Sequence, residues 1–432
     1  MMRADLVIFG AAELVTCAGP GEAAAGADSP LTGPAQADPG VIRDGAIACE
    51  GDRIVWVGPT NALDEAVSPT PWGRRISADG CTVLPGLVDA HTHLPFAGWR
   101  EADWERRLRG ESYADIARSG GGIMTTVRAT RAASEEELAA LAGERLDRML
   151  RHGTTTVEAK SGYGLTVGEE MKQLDALAAL SRVHPIEIVP TLLGAHVVPE
   201  EFSSRRADYV RLVIEEMIPA AASEGLASFC DAFVENGAFT PEEARAILEA
   251  GARVGLRSRV HAEQLGRSGG AALAAAIGAA SADHLEHASA ADAAALAAAG
   301  TVAVLLPGAN LFAGGVQGAP GRMLVDAGVP VAVASDFNPG TCPCESVAAM
   351  VPLACLLCGL TPDEAIVAVT RNAAASLGRA GSIGALAPGM QADIAIFEVP
   401  DRRHLAYRFG TNRCTGVVKK GVVVVEPDPA RG

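Results

Sequence analysis

Aromatic residues are scarce in this sequence, basic residues are outnumbered by acidic ones, and no long uncharged apolar run is present. Phe, Trp and Tyr make up 4% of a chain that is 49% apolar, so the apolar content is mostly Ala, Val and Leu. That composition suits helices packed on a sheet with small residues at the contacts. The formal net charge of −16 argues against a nucleic-acid binder, which needs a basic face to displace counterions, and against an anionic membrane surface. An acidic substrate would need its own local cation. No stretch of ~18 apolar residues is present, so no membrane span is expected. The first residues, Met1 to Ile8, place an acid, Asp5, directly before a short apolar run, which is not the pattern of a signal peptide. The nine Cys residues are odd in number and scattered, so no disulfide framework is expected. These absences point to a cytoplasmic protein with neither nucleic acid nor membrane as partner; a small-molecule substrate is expected from the candidate site residues.

Two β-rich ends flank an alternating middle. Strand-like segments at 5–9, 45–49 and 53–58 are separated by Gly, Pro and Asp, and similar segments recur at 393–397, 415–418 and 421–425. The Ala/Gly/Pro-rich stretch 18–40 reads as a poorly ordered loop. Between the ends lie eight apolar β-type runs, at 83–90, 154–159, 186–195, 229–235, 256–261, 280–284, 302–306 and 329–335. Amphipathic helical stretches such as 134–151 and 240–254 separate most of them. Repeated β-then-α units imply a parallel sheet, and eight imply a closed barrel. A doubly wound sheet is the alternative, but its Gly-x-Gly-x-x-Gly turn is missing after the first strand. The expected fold is therefore α/β: a (β/α)8 TIM-like barrel over 81–378, with a small composite β-sandwich domain from both chain ends, 1–80 and 379–432.

Nearly every middle run ends in His, Asp, Lys or Glu, at the end of the strand where barrel enzymes build their sites. His91 and His93 are two apart on a strand and face the same side. His261, His284 and Asp336 end the fifth, sixth and eighth runs. Three His and one Asp in that layer can make an N3O site for one divalent metal, zinc or iron. Each alone would pass as an ordinary polar residue. Together they point to a metal that lowers the pKa of bound water towards ~7 and supplies hydroxide. Asp336 can take the water's proton, and His284 can stabilise the attacked carbonyl oxygen.

The first-run motif Pro85-Gly-Leu-Val-Asp-Ala-His-Thr-His93 resembles the signature of the amidohydrolase superfamily. His91-Thr-His-Leu-Pro-Phe-Ala-Gly-Trp-Arg-Glu101, Lys160-Ser-Gly-Tyr-Gly-Leu165, Gly194-Ala-His196, Ser281-Ala-Asp-His-Leu285 and Ser335-Asp-Phe-Asn-Pro-Gly340 resemble the imidazolonepropionase family within it, over nearly the whole chain. The resemblance implies hydrolysis of the ring amide of 4-imidazolone-5-propionate to N-formimino-L-glutamate, in histidine degradation. It implies metal ligands His91, His93, His261 and Asp336, catalytic Asp336 and His284, and substrate contacts from Arg100, Tyr163, His196, Gln264, Asn338, Gly340 and Thr341. It also implies a homodimer. The chemistry fits: the propionate needs a cation, and Arg100 can bind a carboxylate in a bidentate fork. Gly340 allows a close backbone approach, and Thr341 offers a hydroxyl and an N–H. Taken alone, Arg100 would pass for half of a surface ion pair with Glu101 or Asp103, and Tyr163 for a loop aromatic on the barrel rim.

Gln264 stands where some family members have Glu. It can bind a ring N–H or carbonyl but cannot act as a base, which leaves proton transfer to Asp336 and His284, with the neighbouring Glu263 pointing elsewhere. Lys160 reads as a supporting group rather than a bridge between two metals. Cys342, Cys344, Cys355 and Cys358 read as incidental thiols around a buried helix, not as a zinc finger. Gly120-Gly121-Gly122 lacks the Lys-Ser/Thr of a phosphate loop and reads as a flexible loop near the site. A nucleobase deaminase and a scaffold with a dead site are the competing readings. The first has less need of Arg100, and the second would leave buried polar groups unused at a cost in stability.

Overall fold

The computed structural model describes residues 1–19 and 28–427. Eight parallel strands, each hydrogen-bonded to the next in sequence order, form the central sheet: Leu87–Asp89, Thr154–Lys160, Glu187–Ala195, Phe229–Val234, Arg257–Ala262, Ser281–His284, Val302–Leu305 and Val331–Val333. The ring closes just beyond the strand ends. Thr92 bridges Phe337 in parallel, the Asp336 N–H donates to the His91 carbonyl at 3.1 Å, and the His93 N–H donates to Phe337 at 2.8 Å. Below this bridge the Asp89 carboxylate accepts the Ser335 N–H at 2.9 Å and its hydroxyl at 2.6 Å.

The helices follow from local chemistry. Over Glu135–Arg151, Leu138, Ala142, Leu146 and Met149 fall on one buried stripe at helical spacing. Ser134 and Glu137 form a capping box, three glutamates open the helix, and Arg148 and Arg151 close it. Pro241–Arg253 repeats the pattern with Thr240 and Glu243. Thr154–Lys160 is buried throughout because one face meets the helices and the other the barrel interior.

The two chain ends share one mixed sheet, in which Ile394–Phe397 pairs antiparallel with Thr82–Pro85 and Met2–Val15 runs beside both Thr82–Pro85 and Val41–Glu50. Alternation buries both faces: Ile47 and Cys49 enter one apolar cluster, Ala46 and Ala48 another. This domain is tied to the base of the barrel at Glu187, which meets Arg379 and lies 3.3 Å from Lys419 Nζ; Lys419 also bonds Asp393 at 2.7 Å.

Two expectations change. The run 83–90 is two strands rather than one: Thr82–Pro85 belongs to the outer sheet and Leu87–Asp89 opens the barrel. The break is at Gly86, where a Cβ would sit 2.3 Å from Thr155 Oγ1. Of the stretch 18–40, residues 20–27 lie outside the described residues. Gly33–Ala37 is a short 3-10 helix, and Gln36 is buried with its amide on the Val331 carbonyl at 2.9 Å. Both backbone groups of Leu31 are held by Asn372, at 2.8 and 2.9 Å. Among the described residues no helix is long and apolar enough to cross a membrane.

Candidate metal centre and substrate cleft

His91 and His93 follow the first barrel strand, His261 lies in the fifth, His284 ends the sixth, and Asp336 follows the eighth. All five side chains are buried. Ligand atoms of His91, His93 and His261 lie within 4.8 Å of one another, as do those of His91, His284 and Asp336. Asp336 Oδ1 is 3.4 Å from both His91 Nε2 and His93 Nε2. His91 Nε2, His261 Nε2 and Asp336 Oδ1 are buried and make no hydrogen bond. Orphaned polar atoms are costly in a sealed interior, and here they converge. Imidazole nitrogens and a carboxylate oxygen are the donors that a mononuclear zinc or iron site uses, so the residues fit the implied metal.

The backbone is bent to deliver them. His284, Leu285 and Asp336 have φ of 80°, 68° and 52°, a left-handed conformation uncommon away from glycine and concentrated at functional sites. Electrostatics sets the protonation. Burial pulls the His261 imidazole down to about 3 against the pull of Asp231, leaving it neutral. Burial works against the Asp336 carboxylate, yet His91 and His93 hold it well below the usual range. His284 is drawn down by burial and raised overall by Glu286, whose Oε1 is 3.6 Å from His284 Nδ1.

Beneath the ligands lies a sealed layer of charge. Asp283 Oδ2 is 2.7 Å from His91 Nδ1, and Asp231 Oδ2 is 3.0 Å from His261 Nδ1. The first contact gives the His91 Nδ1 proton an acceptor and turns Nε2 towards the centre; the second sets a carboxylate beside His261 without a hydrogen bond to its Nδ1. Lys160 Nζ reaches Glu158 and Asp231, both at 2.8 Å, and Arg259 reaches Asp283 at 3.0 Å. All are buried. Lys160 is thus enclosed by carboxylates, in keeping with a supporting role.

Above the centre opens a cleft of about 750 Å³, lined by His93, Arg100, Tyr163, His196, Gln264, His284, Asp336, Asn338, Gly340 and Thr341 among others. Every residue singled out on the substrate side therefore faces one cavity. Tyr163 sits in a loop whose Gly162, Gly164 and Leu165 N–H groups all donate to the Glu170 carboxylate, at 2.9, 2.8 and 2.7 Å. Gln173 accepts the Tyr163 N–H at 3.1 Å. His196 stacks on His93 with ring centroids 5.2 Å apart and bonds the Gly162 carbonyl at 2.9 Å. Asn338 accepts the N–H groups of Gly340 and Thr341 at 2.8 Å each, and donates to the Asp336 carbonyl and Thr341 Oγ1 at 2.7 and 2.8 Å. Its amide therefore shapes the loop that carries Asp336. Gly340 makes room for Arg100: a Cβ there would lie 1.1 Å from the Arg100 Nη2. Glu263 faces away and caps the 268–271 turn through the N–H groups of Ser268, Gly269 and Ala271. The triple glycine lies at the mouth, where the Gly122 N–H donates to Asp103 at 2.8 Å. The nine cysteines are free, with Cys355 and Cys358 on the helix Met350–Cys358.

Sequence reading missed the layer under the metal ligands and the loop-holding Glu170. A signal was present: Glu158 and Arg259 stand two residues before Lys160 and His261, on the same strand faces. Arg107, which also lines the cleft and bonds the Gly340 carbonyl at 3.0 Å, gave no such signal.

The amidohydrolase family model matches residues 82–424. The imidazolonepropionase of Symbiobacterium thermophilum is 47% identical over 432 residues, all of both chains. That of Geobacillus kaustophilus is 47% identical, covering 97% of this chain and 98% of its own. Among solved structures, an adenosine deaminase from Xanthomonas campestris with bound zinc superposes with a TM-score of 0.70 at 19% identity, covering 99% of this chain and 94% of that one. The zinc complex of atrazine chlorohydrolase from Arthrobacter aurescens gives 0.69 at 20%, covering 98% and 95%. At that identity the two structures speak for the fold alone.

Proposed function

The chain belongs to the amidohydrolase family and to its imidazolonepropionase branch, and from that premise we propose how its residues open the ring amide of 4-imidazolone-5-propionate to N-formimino-L-glutamate. The carrying observation is the convergence of the unpartnered His91 Nε2, His261 Nε2 and Asp336 Oδ1 under a cleft whose wall presents an arginine.

His91, His93, His261 and Asp336 would hold one divalent ion, zinc or iron. When bound, it supplies Lewis acidity that makes water nucleophilic near neutral pH. The remaining work belongs to the side chains. Arg100 anchors the propionate through charge-assisted hydrogen bonds, and Tyr163 and His196 fix the ring against the His93 side. Gln264 hydrogen-bonds the ring amide and, lacking an ionisable proton, takes no part in proton transfer. Asp336 accepts the proton that the attacking water loses, with Thr341 Oγ1 at 3.4 Å from its Oδ2 and Asn338 setting the loop. His284, on the adjoining wall, donates to the carbonyl oxygen as it gains negative charge. As the C–N bond breaks, Asp336 returns its proton to the departing ring nitrogen, so the group that acted as base ends as acid. Following the resemblance, we take the protein to act as a cytoplasmic homodimer.

The test is the decay of the ultraviolet absorbance of 4-imidazolone-5-propionate with purified protein, with and without a chelator. Decay that the chelator abolishes and added metal restores is the expected result. No decay with metal-loaded protein would overturn the substrate assignment.

A further inference from the structure

We propose that Lys160 is a positioning residue of the metal centre: one buried ammonium that locks all three histidine ligands through the carboxylates behind them. The proposal rests on the metal reading above.

A histidine that ligates through Nε2 carries its proton on Nδ1, and the acceptor of that proton sets the plane of the ring. For His91 the acceptor is Asp283 Oδ2 at 2.7 Å; for His261 the Asp231 carboxylate lies alongside, Oδ2 3.0 Å from Nδ1, as a charge contact outside hydrogen-bond alignment. In both aspartates the same oxygen also faces Lys160 Nζ, at 3.9 Å from Asp283 and 2.8 Å from Asp231. The other oxygens, Asp283 Oδ1 and Asp231 Oδ1, are buried and make no hydrogen bond. Neither carboxylate is therefore pinned from its far side, and its rotation is set by what meets Oδ2. The third ligand is reached differently. Lys160 Nζ bonds Glu158 Oε1 at 2.8 Å, and Glu158 Oε2 accepts the N–H of Thr92 at 3.2 Å. Thr92 is the residue between His91 and His93. Arg259 reinforces the first arm, with Asp283 at 3.0 Å and the Ala90 carbonyl at 2.8 Å, and its Nε also lies 4.0 Å from Glu158 Oε1. Among the described residues Lys160 alone contacts all three carboxylates, Glu158, Asp231 and Asp283, and it is fully buried.

A purely charge-balancing lysine would make a different prediction from one that positions ligands, and metal affinity separates the two. Zinc affinity is measured by competition with a chromophoric chelator, using the full-length protein stripped of metal. The wild type binds zinc, and Lys160→Met lowers that affinity 10- to 100-fold, the range for loss of a group behind metal ligands. Lys160→Met affinity within about threefold of wild type overturns the proposal. A wild type that binds no zinc instead overturns the metal reading beneath it. Because Lys160→Met leaves three acids against one arginine, the Glu158→Gln/Lys160→Gln double variant, which removes one charge of each sign, is the second arm. Affinity that stays at least tenfold down there supports positioning. Recovery to the wild-type value means charge balance alone mattered. The last readout needs no variant: ¹⁵N-histidine NMR of the metal-free wild type is expected to show His91 protonated on Nδ1, facing Asp283. Protonation of His91 on Nε2 would overturn the proposal.

Discussion

Alanine at position 340 is expected to disable the substrate anchor without touching the anchor residue. The added Cβ would stand 1.1 Å from Arg100 Nη2 and 2.0 Å from its Cζ, so the guanidinium must leave its place. The loop need not. Gly340 is not in the left-handed region, so alanine can adopt its backbone and keep its N–H on Asn338 Oδ1. A hydrogen bond to a charged partner contributes about 1.5–3 kcal/mol, and ~1.4 kcal/mol is a factor of ten. Losing the propionate contact should therefore raise KM roughly 10- to 150-fold. The kcat should fall far less, because Asp336 and His284 are untouched. Initial rates of absorbance loss over a range of substrate concentrations measure both. The decisive comparison is with Arg100→Met. If glycine acts by making room for that arginine, Gly340→Ala/Arg100→Met is no worse than Arg100→Met alone, the non-additivity expected of two groups in one interaction. Multiplying effects, or an unchanged KM for Gly340→Ala, would refute the reasoning.

Asp336→Asn should abolish turnover and weaken metal binding while near-ultraviolet circular dichroism stays that of the wild type; surviving activity would remove Asp336 from proton transfer. Glu170→Ala strands three buried N–H groups at Gly162, Gly164 and Leu165, and at ~1–3 kcal/mol each the loss should be about 3 kcal/mol or more. Its melting temperature should drop by several degrees and kcat/KM should fall with the Tyr163 loop, whereas an unchanged melt would show that the loop holds itself. Glu187 is pushed up by burial, but Lys419 and Arg379 bring it below its ordinary 4.5 to about 2. A depressed carboxyl stabilises the fold above its unfolded pKa and loses that contribution as pH falls through the folded one. Glu187→Gln should therefore flatten the decline of melting temperature between about pH 4.5 and 2, and parallel acid limbs would contradict this.

The candidate metal layer was legible in the chain because strand-end residues break an apolar pattern. His91, His93, His261, His284 and Asp336 each terminate or follow such a run, and a barrel gathers those ends in space. Most barrel strands and the two long capped helices were readable for the same reason: periodicity and capping are local. What was not readable depends on partners distant in sequence. Nothing near Gly340 says that Arg100 fills the space of its missing side chain, and nothing near Gln36 says that it caps a barrel strand. The 83–90 run looked continuous because Gly86 turns the chain between two sheets, and a sheet change leaves no mark on hydrophobicity. Asn338 reads as a substrate contact by its place in a motif, and it does line the cleft; that its amide also folds the loop depends on Asp336, Gly340 and Thr341 meeting it in space. The charged layer of Glu158, Asp231, Arg259 and Asp283 was passed over because a charge inside an apolar strand has a partner only across the barrel.

The seam of the barrel carries a consequence for how the protein is made. His91 and His93 stand on one side of the join between first and last strands and Asp336 on the other, and the Asp89–Ser335 clasp beneath them spans 246 residues of chain. During synthesis the two histidines emerge early, yet the fourth donor arrives only when the eighth strand has been made and has found the first. A chain stalled or truncated before that point lacks Asp336, the group proposed to move protons. On that mechanism activity is withheld from every product that ends before Asp336, and completing the site doubles as a check that the ring has closed.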